Sequence, residues 1–272
     1  MGVVKYGAPL NVLVAVKGHP FERDAFAAMF DAMGDIAATF VDQPAAAQLM
    51  TPQGLAPYDA LILYDMPGLD FAHADRPGLV APRESFKDGL RALLDAGKGV
   101  VALHHAIAGW PTWEEYAEFL GGRFLYKPAP LRGRHCPDSG YRHDVAHQVT
   151  VAADHPVIAG VPPSFPLTDE LYLYEVFEDA VEPLLRSSHA FTQENFYSAS
   201  LAVSGHMYAN EGWTHADGSN LVGWVKRARR SPLVYLQPGD GPATYADETY
   251  RRLVENAIRW VASEEALAWA RA

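Results

Sequence analysis

The sequence predicts an α/β fold with a doubly wound, mostly parallel central sheet. Residues 10–16, 60–64 and 100–103 are short and almost wholly apolar, which is typical of strands buried on both faces. Amphipathic stretches with helical spacing lie between such runs, and glycine follows several of the elements. This β-α-β-β-α-β order predicts parallel strands with helices packed on both faces of the sheet.

The first half of the chain supplies the predicted parallel strands and two helices. Strands are expected over residues 10–16, 36–41, 60–64 and 100–103. The first helix ends at Gly34 and the second ends at Gly97. Their apolar stripes consist of Phe26, Met29, Phe30 and Met33 in the first helix, and of Phe86, Leu90, Leu93 and Leu94 in the second.

The second half predicts antiparallel additions to the sheet. Residues 123–147 carry several prolines and glycines, which indicates a long irregular excursion over the sheet. Further strands are expected over residues 148–152, 169–176, 184–185, 221–225 and 233–236, with helices over 113–120 and 250–261. Because no linker or repeat interrupts the chain, we expect a single domain over residues 1–272.

Charge and cysteine usage restrict the partners. The formal net charge is −11 and is spread along the chain, so we expect no nucleic-acid or membrane partner. The single cysteine, Cys136, excludes an intramolecular disulfide and a multi-cysteine zinc site. No leader pattern precedes the first strand and no apolar run approaches about 18 residues. We therefore expect a cytoplasmic protein, and assembly into a homo-oligomer stays open.

Polar side chains follow the predicted parallel strands, at the edge where ligands bind in open α/β sheets. These strand ends carry His19, Asp65, the pair His104-His105, and Gln237 with Asp240. Asp169, Glu170 and Tyr172 could approach them from the second half. We predict a pocket here, with His19, Asp65, Trp110, Asp169, Tyr172 and Asp240 as substrate-binding residues. Trp110 is included because aromatic rings beside a polar pocket suit stacking on sugar rings.

His104, His105 and Glu170 are the predicted catalytic residues. A neutral histidine serves as a general base or as a metal ligand, and Glu170 would be its acidic partner. In a turn after the strand, one histidine can point into the pocket while the other packs beneath it. The alternative is that either histidine only supports the turn through a backbone hydrogen bond.

A second group of histidines gives a weaker signal for a metal. His135, His143 and His147 are spaced eight and four residues apart, but no H-E-x-x-H pattern is present. We assign no metal ligand and no cofactor. Whether a metal binds His104 and His105, or the second group, stays open.

Several segments, taken together and in this order, resemble the ThuA-like proteins, named for trehalose utilisation and related to the class I glutamine amidotransferases. The segments are residues 99–106, 113–116, 120–124, 154–158, 168–172 and 256–260. The resemblance implies a flavodoxin-like core and a sugar-derived ligand. It also implies a role in carbohydrate metabolism, on a disaccharide or an oxidised sugar derivative.

The chain departs from the amidotransferases at the central turn. Their Gly-x-Cys-x-Gly elbow is replaced by Ala102-Leu103-His104-His105-Ala106, so glutamine hydrolysis through a thioester is not expected. Gln237-Pro-Gly-Asp240 also stands where many ThuA-like proteins carry Gly-His. We expect a sugar-derivative hydrolase or isomerase that uses His and Glu. The alternatives are a non-catalytic sugar-binding or regulatory module and a His-ligated metal-dependent hydrolase.

Overall fold

The computed structural model describes residues 4–72 and 77–272. Its strands are β1 (Leu10–Lys17), β2 (Ile36–Asp42), β3 (Ala60–Asp65), β4 (Leu69–Asp70), β5 (Gly78–Leu79), β6 (Gly99–Leu103), β7 (Gly122–Arg123), β8 (Ala129–Leu131), β9 (Arg134–Cys136), β10 (Gly140–Val151), β11 (Ser164–Leu173), β12 (Glu175–Val176), β13 (Glu182–Ser187), β14 (Tyr197–Ser198), β15 (Leu221–Ala228) and β16 (Ser231–Leu236). The helices are α1 (Arg23–Asp31), α2 (Ala45–Leu49), α3 (Glu84–Asp95), α4 (Glu114–Leu120), α5 (Ala199–Val203), α6 (Pro242–Ala246), α7 (Glu248–Val261) and α8 (Glu264–Arg271).

The central sheet has ten strands, and half of it is parallel. Strands β2, β1, β3, β6 and β16 lie side by side in that order, and each pair is parallel. This is the 2-1-3-4-5 order of flavodoxin-like sheets, in which ligands bind beyond the carboxyl ends of the strands. The predicted fold class is confirmed.

The inner parallel strands β1, β3, β6 and β16 are largely apolar, as expected for strands covered on both faces, whereas the edge strand β2 is partly exposed. Along β1, Val12 and Val14 pack into the same core as α1 and α7, whereas Leu13 and Ala15 pack into the core that contains α3 and α4. This alternation follows from the two-residue period of a strand. The helices thus hold the sheet rigid and leave its carboxyl edge open to loops.

The antiparallel half differs from the prediction between residues 123 and 147. That segment contains the hairpin β8–β9 and the first part of β10, a strand of 12 residues that runs on to Val151. The predicted strand over residues 148–152 is therefore only the end of β10. Pro128 and Pro137 lie outside the strands, so they do not prevent hydrogen bonding between the strands of this segment.

The antiparallel strands extend the sheet from β16 outward. Strand β15 pairs with β16, β13 with β15, β10 with β13, and β11 and β14 both pair with β10. Strand β11 thereby carries Asp169, Glu170 and Tyr172 to the open edge of the parallel half. Within the described ranges, no helix is long and apolar enough to cross a membrane.

Candidate functional site

The chain turns sharply where β6 ends. His104 has a φ of 44°, in the left-handed region, which for a residue with a side chain costs about 1–3 kcal/mol. The hydroxyl of Tyr235 donates to the His104 carbonyl at 2.8 Å and helps to hold this conformation. A similarly strained turn presents the nucleophile of an elbow, and here it presents a buried histidine.

The ring of His104 has a defined orientation. Its Nδ1 lies 2.6 Å from the Gln237 carbonyl oxygen, and because a carbonyl only accepts, Nδ1 carries a proton. Its Nε2 lies 2.9 Å from Glu170 Oε2 and 3.5 Å from Asp240 Oδ1. The Tyr172 hydroxyl is also 2.9 Å from Nε2. Nε2 is therefore the nitrogen that is available for chemistry.

Burial alone would lower the pKa of His104, but the hydrogen bonds to Asp240 and Glu170 outweigh it and raise this pKa well above 6.5. The pKa of Asp240 moves in the opposite direction. Burial would raise it, but the hydrogen bond to His104 and the charge of His104 lower it below the ordinary value of 3.8. His104 and Asp240 therefore form an ion pair.

Asp169 fixes the position of Asp240. Its carboxylate accepts from the backbone N–H of Gly239 at 2.6 Å and from that of Asp240 at 3.2 Å. On the carbonyl side, the hydroxyls of Tyr64 and Tyr245 donate to Gly239 and Asp240, respectively. Asp169 was predicted to bind substrate. In the structure its carboxylate oxygens accept hydrogen bonds from the backbone of this loop.

His143 joins the cluster because of a β-bulge. Arg142 pairs with Leu171 and Val145 pairs with Asp169, so His143 and Asp144 together oppose Glu170. Asp144 adopts a φ of 54°, which absorbs the extra residue. His143 Nδ1 consequently lies 3.4 Å from Glu170 Oε1 and 4.0 Å from Asp240 Oδ2.

A cavity of about 300 Å³ opens over Glu170. Its aromatic walls are Phe71, Phe124, Tyr126, Tyr141 and Tyr172, and its polar side chains include His19, His143 and Glu170. The buried hydroxyl of Tyr126 has no hydrogen-bond partner among the residues that the structure describes. A buried hydroxyl without a partner carries a desolvation cost, so a ligand that accepts from Tyr126 would remove that cost.

The structure brings several predicted residues together. His19, Glu170 and Tyr172 line the cavity, and Asp240 reaches the same cluster. His104 is wholly buried behind Glu170 and Tyr172 and does not line the cavity. Its contact with a ligand is therefore indirect, through these two side chains.

His105 packs beneath the site. Its Nε2 donates to the Tyr64 carbonyl at 3.0 Å, and its ring lies 4.9 Å from that of His19 between centroids. Burial, with the charges of His104 and His19, lowers the pKa of His105 well below 6.5, so the ring is neutral. The structure does not bring His105 to Glu170; the ring packs beneath the site, as expected for one of the two histidines of the turn, while His104 contacts Glu170.

Asp65 and Trp110 also lie apart from the cavity lining. The Asp65 carboxylate is buried at the end of β3, where it accepts from Gln43 Nε2 at 2.6 Å. Trp110 packs its ring against Phe86, with 5.0 Å between the centroids. The loop after β3 presents Met66 to the cavity, and a substrate-binding role of Asp65 and Trp110 stays a prediction.

The three-histidine metal group does not assemble. His147 is buried against Ser187, whose hydroxyl lies 2.8 Å from its Nδ1, and His135 is exposed on β9. Among the residues that the structure describes, His104, Glu170 and Asp240 form the group that could hold an ion, with ligand atoms within 4.8 Å of one another. His104, Glu170 and Asp240 were each predicted from the sequence as site residues. The bulge that adds His143 has no sequence signature.

Comparison with known proteins gives a family and a fold. A family model described as ThuA, trehalose utilisation, matches residues 11–261. A ThuA-like protein from Parabacteroides merdae ATCC 43184 has 14% identity and a TM-score of 0.64, over 94% of this chain and 90% of that chain. A cytoplasmic protein from Salmonella typhimurium LT2 has 12% identity and a TM-score of 0.56, over 93% and 99%.

PurLQS from Thermotoga maritima has 14% identity and a TM-score of 0.50, over 92% of this chain and 98% of that chain. The likeness to these solved structures shows the class I glutamine amidotransferase-like fold. No curated protein matches this chain in sequence.

Proposed function

This chain belongs to the ThuA family, described as trehalose utilisation, and we propose that it is an enzyme acting on a sugar-derived ligand in the cavity over Glu170. Glu170 is the proposed acid–base group. The observation that carries the proposal is the position of this buried carboxylate, which lines the cavity and also contacts His104 and His143.

The walls of the cavity support a carbohydrate ligand. Sugar rings have apolar C–H faces that pack on aromatic side chains, and hydroxyl groups that need hydrogen-bond partners. Phe124 and Tyr172 offer aromatic surface, and the Tyr126 hydroxyl offers an unused donor. The volume of about 300 Å³ is at the lower end for small-molecule sites, which suits one or two sugar rings.

The contacts of Glu170 support proton transfer. Its Oε2 faces His104 and its Oε1 faces His143, so each oxygen lies beside an imidazole nitrogen. In a hydrolase or an isomerase, the carboxylate would take a proton from water or from the ligand and return it to a departing or rearranged oxygen. His104 acts as a positioning residue in this scheme, because it lies behind Glu170.

The same geometry argues against glutamine hydrolysis. His104 occupies the turn at which an elbow nucleophile would stand, and Cys136 lies on β9 in a separate cluster with Leu125 and Phe177. A thioester requires a thiol at the turn.

We also propose that the partners are small molecules and that the protein is cytoplasmic. The net charge of −11 disfavours nucleic acid and anionic membranes, and one structural neighbour is described as a cytoplasmic protein. Assembly of the chain into a homo-oligomer stays a prediction.

Replacement of Glu170 by Gln tests the function. Ligands are first identified by NMR from trehalose, glucose and their lactone and keto derivatives, and products are followed in the same spectra. In Glu170→Gln we expect kcat to fall by about 10²–10⁴-fold, because acid–base catalysis is lost, while binding changes little. Glu248→Gln is the matched control, since that side chain is 91% exposed, and it should keep full activity.

Two outcomes contradict the proposal in different ways. Binding of a sugar without any product, in the unaltered protein, would identify a non-catalytic binding module. Full turnover in Glu170→Gln would assign the proton transfer to another residue.

A further inference from the structure

We propose that His104, Glu170 and Asp240 bind a divalent first-row transition-metal ion, with His143 as a fourth ligand. One nitrogen or oxygen from each of the first three residues lies within 4.8 Å of the others. The inference rests on this geometry and does not require the proposed sugar chemistry.

The histidine has the orientation of a metal ligand. Metal-binding histidines commonly donate their second N–H to a carbonyl or a carboxylate, which fixes the tautomer and directs the other nitrogen at the ion. His104 Nδ1 donates in this way to the Gln237 carbonyl at 2.6 Å. Nε2 faces the two carboxylates, and an ion bound there would take the place of its proton.

The carboxylates stand at suitable distances from this nitrogen. Nε2 lies 2.9 Å from Glu170 Oε2 and 3.5 Å from Asp240 Oδ1. Ligand atoms that are each about 2.1 Å from one ion lie about 3.0–3.4 Å apart at octahedral or tetrahedral angles. The two distances from Nε2 therefore match an ion held by this nitrogen and by one oxygen of each carboxylate.

The backbone holds Asp240 in place for this role. Asp169 accepts from the N–H groups of Gly239 and Asp240, and Tyr245 donates to the Asp240 carbonyl. Such outer hydrogen bonds orient the ligands of metal sites.

His143 completes the set on the side of the cavity. Its Nδ1 lies 3.4 Å from Glu170 Oε1, and its side chain is 34% exposed, so it can approach the ion without repacking the core. His104 comes from the turn after β6, Glu170 from β11 and Asp240 from the loop after β16. A coordination position would remain open to the cavity, as in catalytic metal sites.

The ligand chemistry selects the class of ion. Mixed imidazole and carboxylate ligands favour Zn²⁺, Mn²⁺ or Fe²⁺, whereas Mg²⁺ and Ca²⁺ prefer oxygen alone. At the open position, such an ion would take hydroxyl or carbonyl oxygens of a ligand.

Calorimetric titration of zinc into the protein tests the site. The full chain is purified without a histidine tag, treated with EDTA and titrated with Zn²⁺ and, separately, with Mg²⁺. We expect about one Zn²⁺ per chain, and much weaker binding of Mg²⁺. In Asp240→Asn and in Glu170→Gln, the Kd for Zn²⁺ should rise at least tenfold.

The matched control is His135→Gln, which removes an exposed histidine outside the cluster and should leave the Kd unchanged. Co²⁺ loaded in place of Zn²⁺ gives an independent readout, because its visible spectrum should change in Asp240→Asn and not in His135→Gln. Circular dichroism of each variant establishes that it is folded.

Absence of zinc binding by the folded unaltered protein would overturn the proposal. Equal Zn²⁺ affinity in the unaltered protein, Asp240→Asn and Glu170→Gln would also overturn it, because the ion would then bind elsewhere. No sugar is present in these titrations, so their failure would leave the proposed function standing.

Discussion

Glu170 connects the cavity to the buried histidine. Only 4% of its surface is exposed, yet it lines the cavity and lies within 3.4 Å of His143 and 2.9 Å of His104. A buried carboxylate is costly unless charged or polar groups surround it. At the scale of single residues, the contacts with His104 and His143 therefore offset the free-energy cost of burying the Glu170 carboxylate.

Asp65 is a buried carboxylate with fewer polar contacts than Glu170. Its carboxylate is buried and accepts from Gln43 through Oδ2, whereas Oδ1 has no partner within the described ranges of the chain. Burial raises the pKa of Asp65 to about 6. Since it lies apart from the cavity lining, we expect Asp65 to affect the stability of the fold.

Asp65→Asn tests this through the pH dependence of unfolding. As the pH rises from about 4 to about 6, the unfolded state releases the Asp65 proton before the folded state does, so the free energy of unfolding falls. A shift from 3.8 to about 6 corresponds to about 3 kcal/mol. Urea unfolding of both proteins between pH 4 and 7 measures this loss.

Asp65→Asn has no carboxyl group to titrate at this position, so its free energy of unfolding should not fall for this reason. Relative to the unaltered protein, the variant should therefore gain up to about 3 kcal/mol between pH 4 and 7. The difference between the two curves cancels the other titrating groups. A difference that stays constant with pH would contradict the assignment.

At the scale of elements, the bulge in β10 decides which histidine joins the site. The single extra residue opposite Glu170 places His143 beside the carboxylate, whereas His147, four residues further on, is buried against Ser187. The sequence could predict the strand-end histidines, because an apolar run ends at them. It could not predict the bulge, since no glycine or proline marks residues 142–145.

Helix α7 packs closely against β6, the strand that precedes the turn at His104. A Cβ on Gly99 would lie 2.1 Å from the carbonyl oxygen of Val261 and 2.8 Å from the Val261 Cβ. The helix thus packs directly on the backbone of the strand that carries His104. Close approach of this kind requires glycine.

Gly99→Ala should lower the free energy of unfolding by about 1–3 kcal/mol or more, because α7 must move away from the sheet. Gly34→Ala is the control, since nothing lies within 4 Å of its Cβ position. That variant should stay within about 1 kcal/mol of the unaltered protein. Urea unfolding compares them, and equal stability of Gly99→Ala and the unaltered protein would refute the close packing.

At the scale of the whole molecule, the sequence predicted the parallel half better than the antiparallel half. Strands such as β3 and β6 are buried on both faces, so their apolar runs are easy to recognise. Strand β10 alternates buried and exposed residues and begins in a segment rich in proline and glycine. Its pairing with β11 depends on contacts distant in sequence, which local patterns do not reveal.

The whole fold retains an elbow turn while changing its chemistry. β6 still ends in a strained residue at the carboxyl edge of a flavodoxin-like sheet, but that residue is His104. The second half supplies Glu170 and His143 from two antiparallel strands, and the loop after β16 supplies Asp240. The site is thus assembled from both halves of the chain.

The central claim is that a sugar-derived ligand binds in contact with Glu170. A crystal structure of the complex with a ligand identified by NMR tests it most directly. We expect a ligand oxygen at about 2.6–3.2 Å from the Glu170 carboxylate, and a sugar ring against Phe124 or Tyr172. A ligand seated elsewhere, such as the cavity lined by His135 and His215, would contradict the claim.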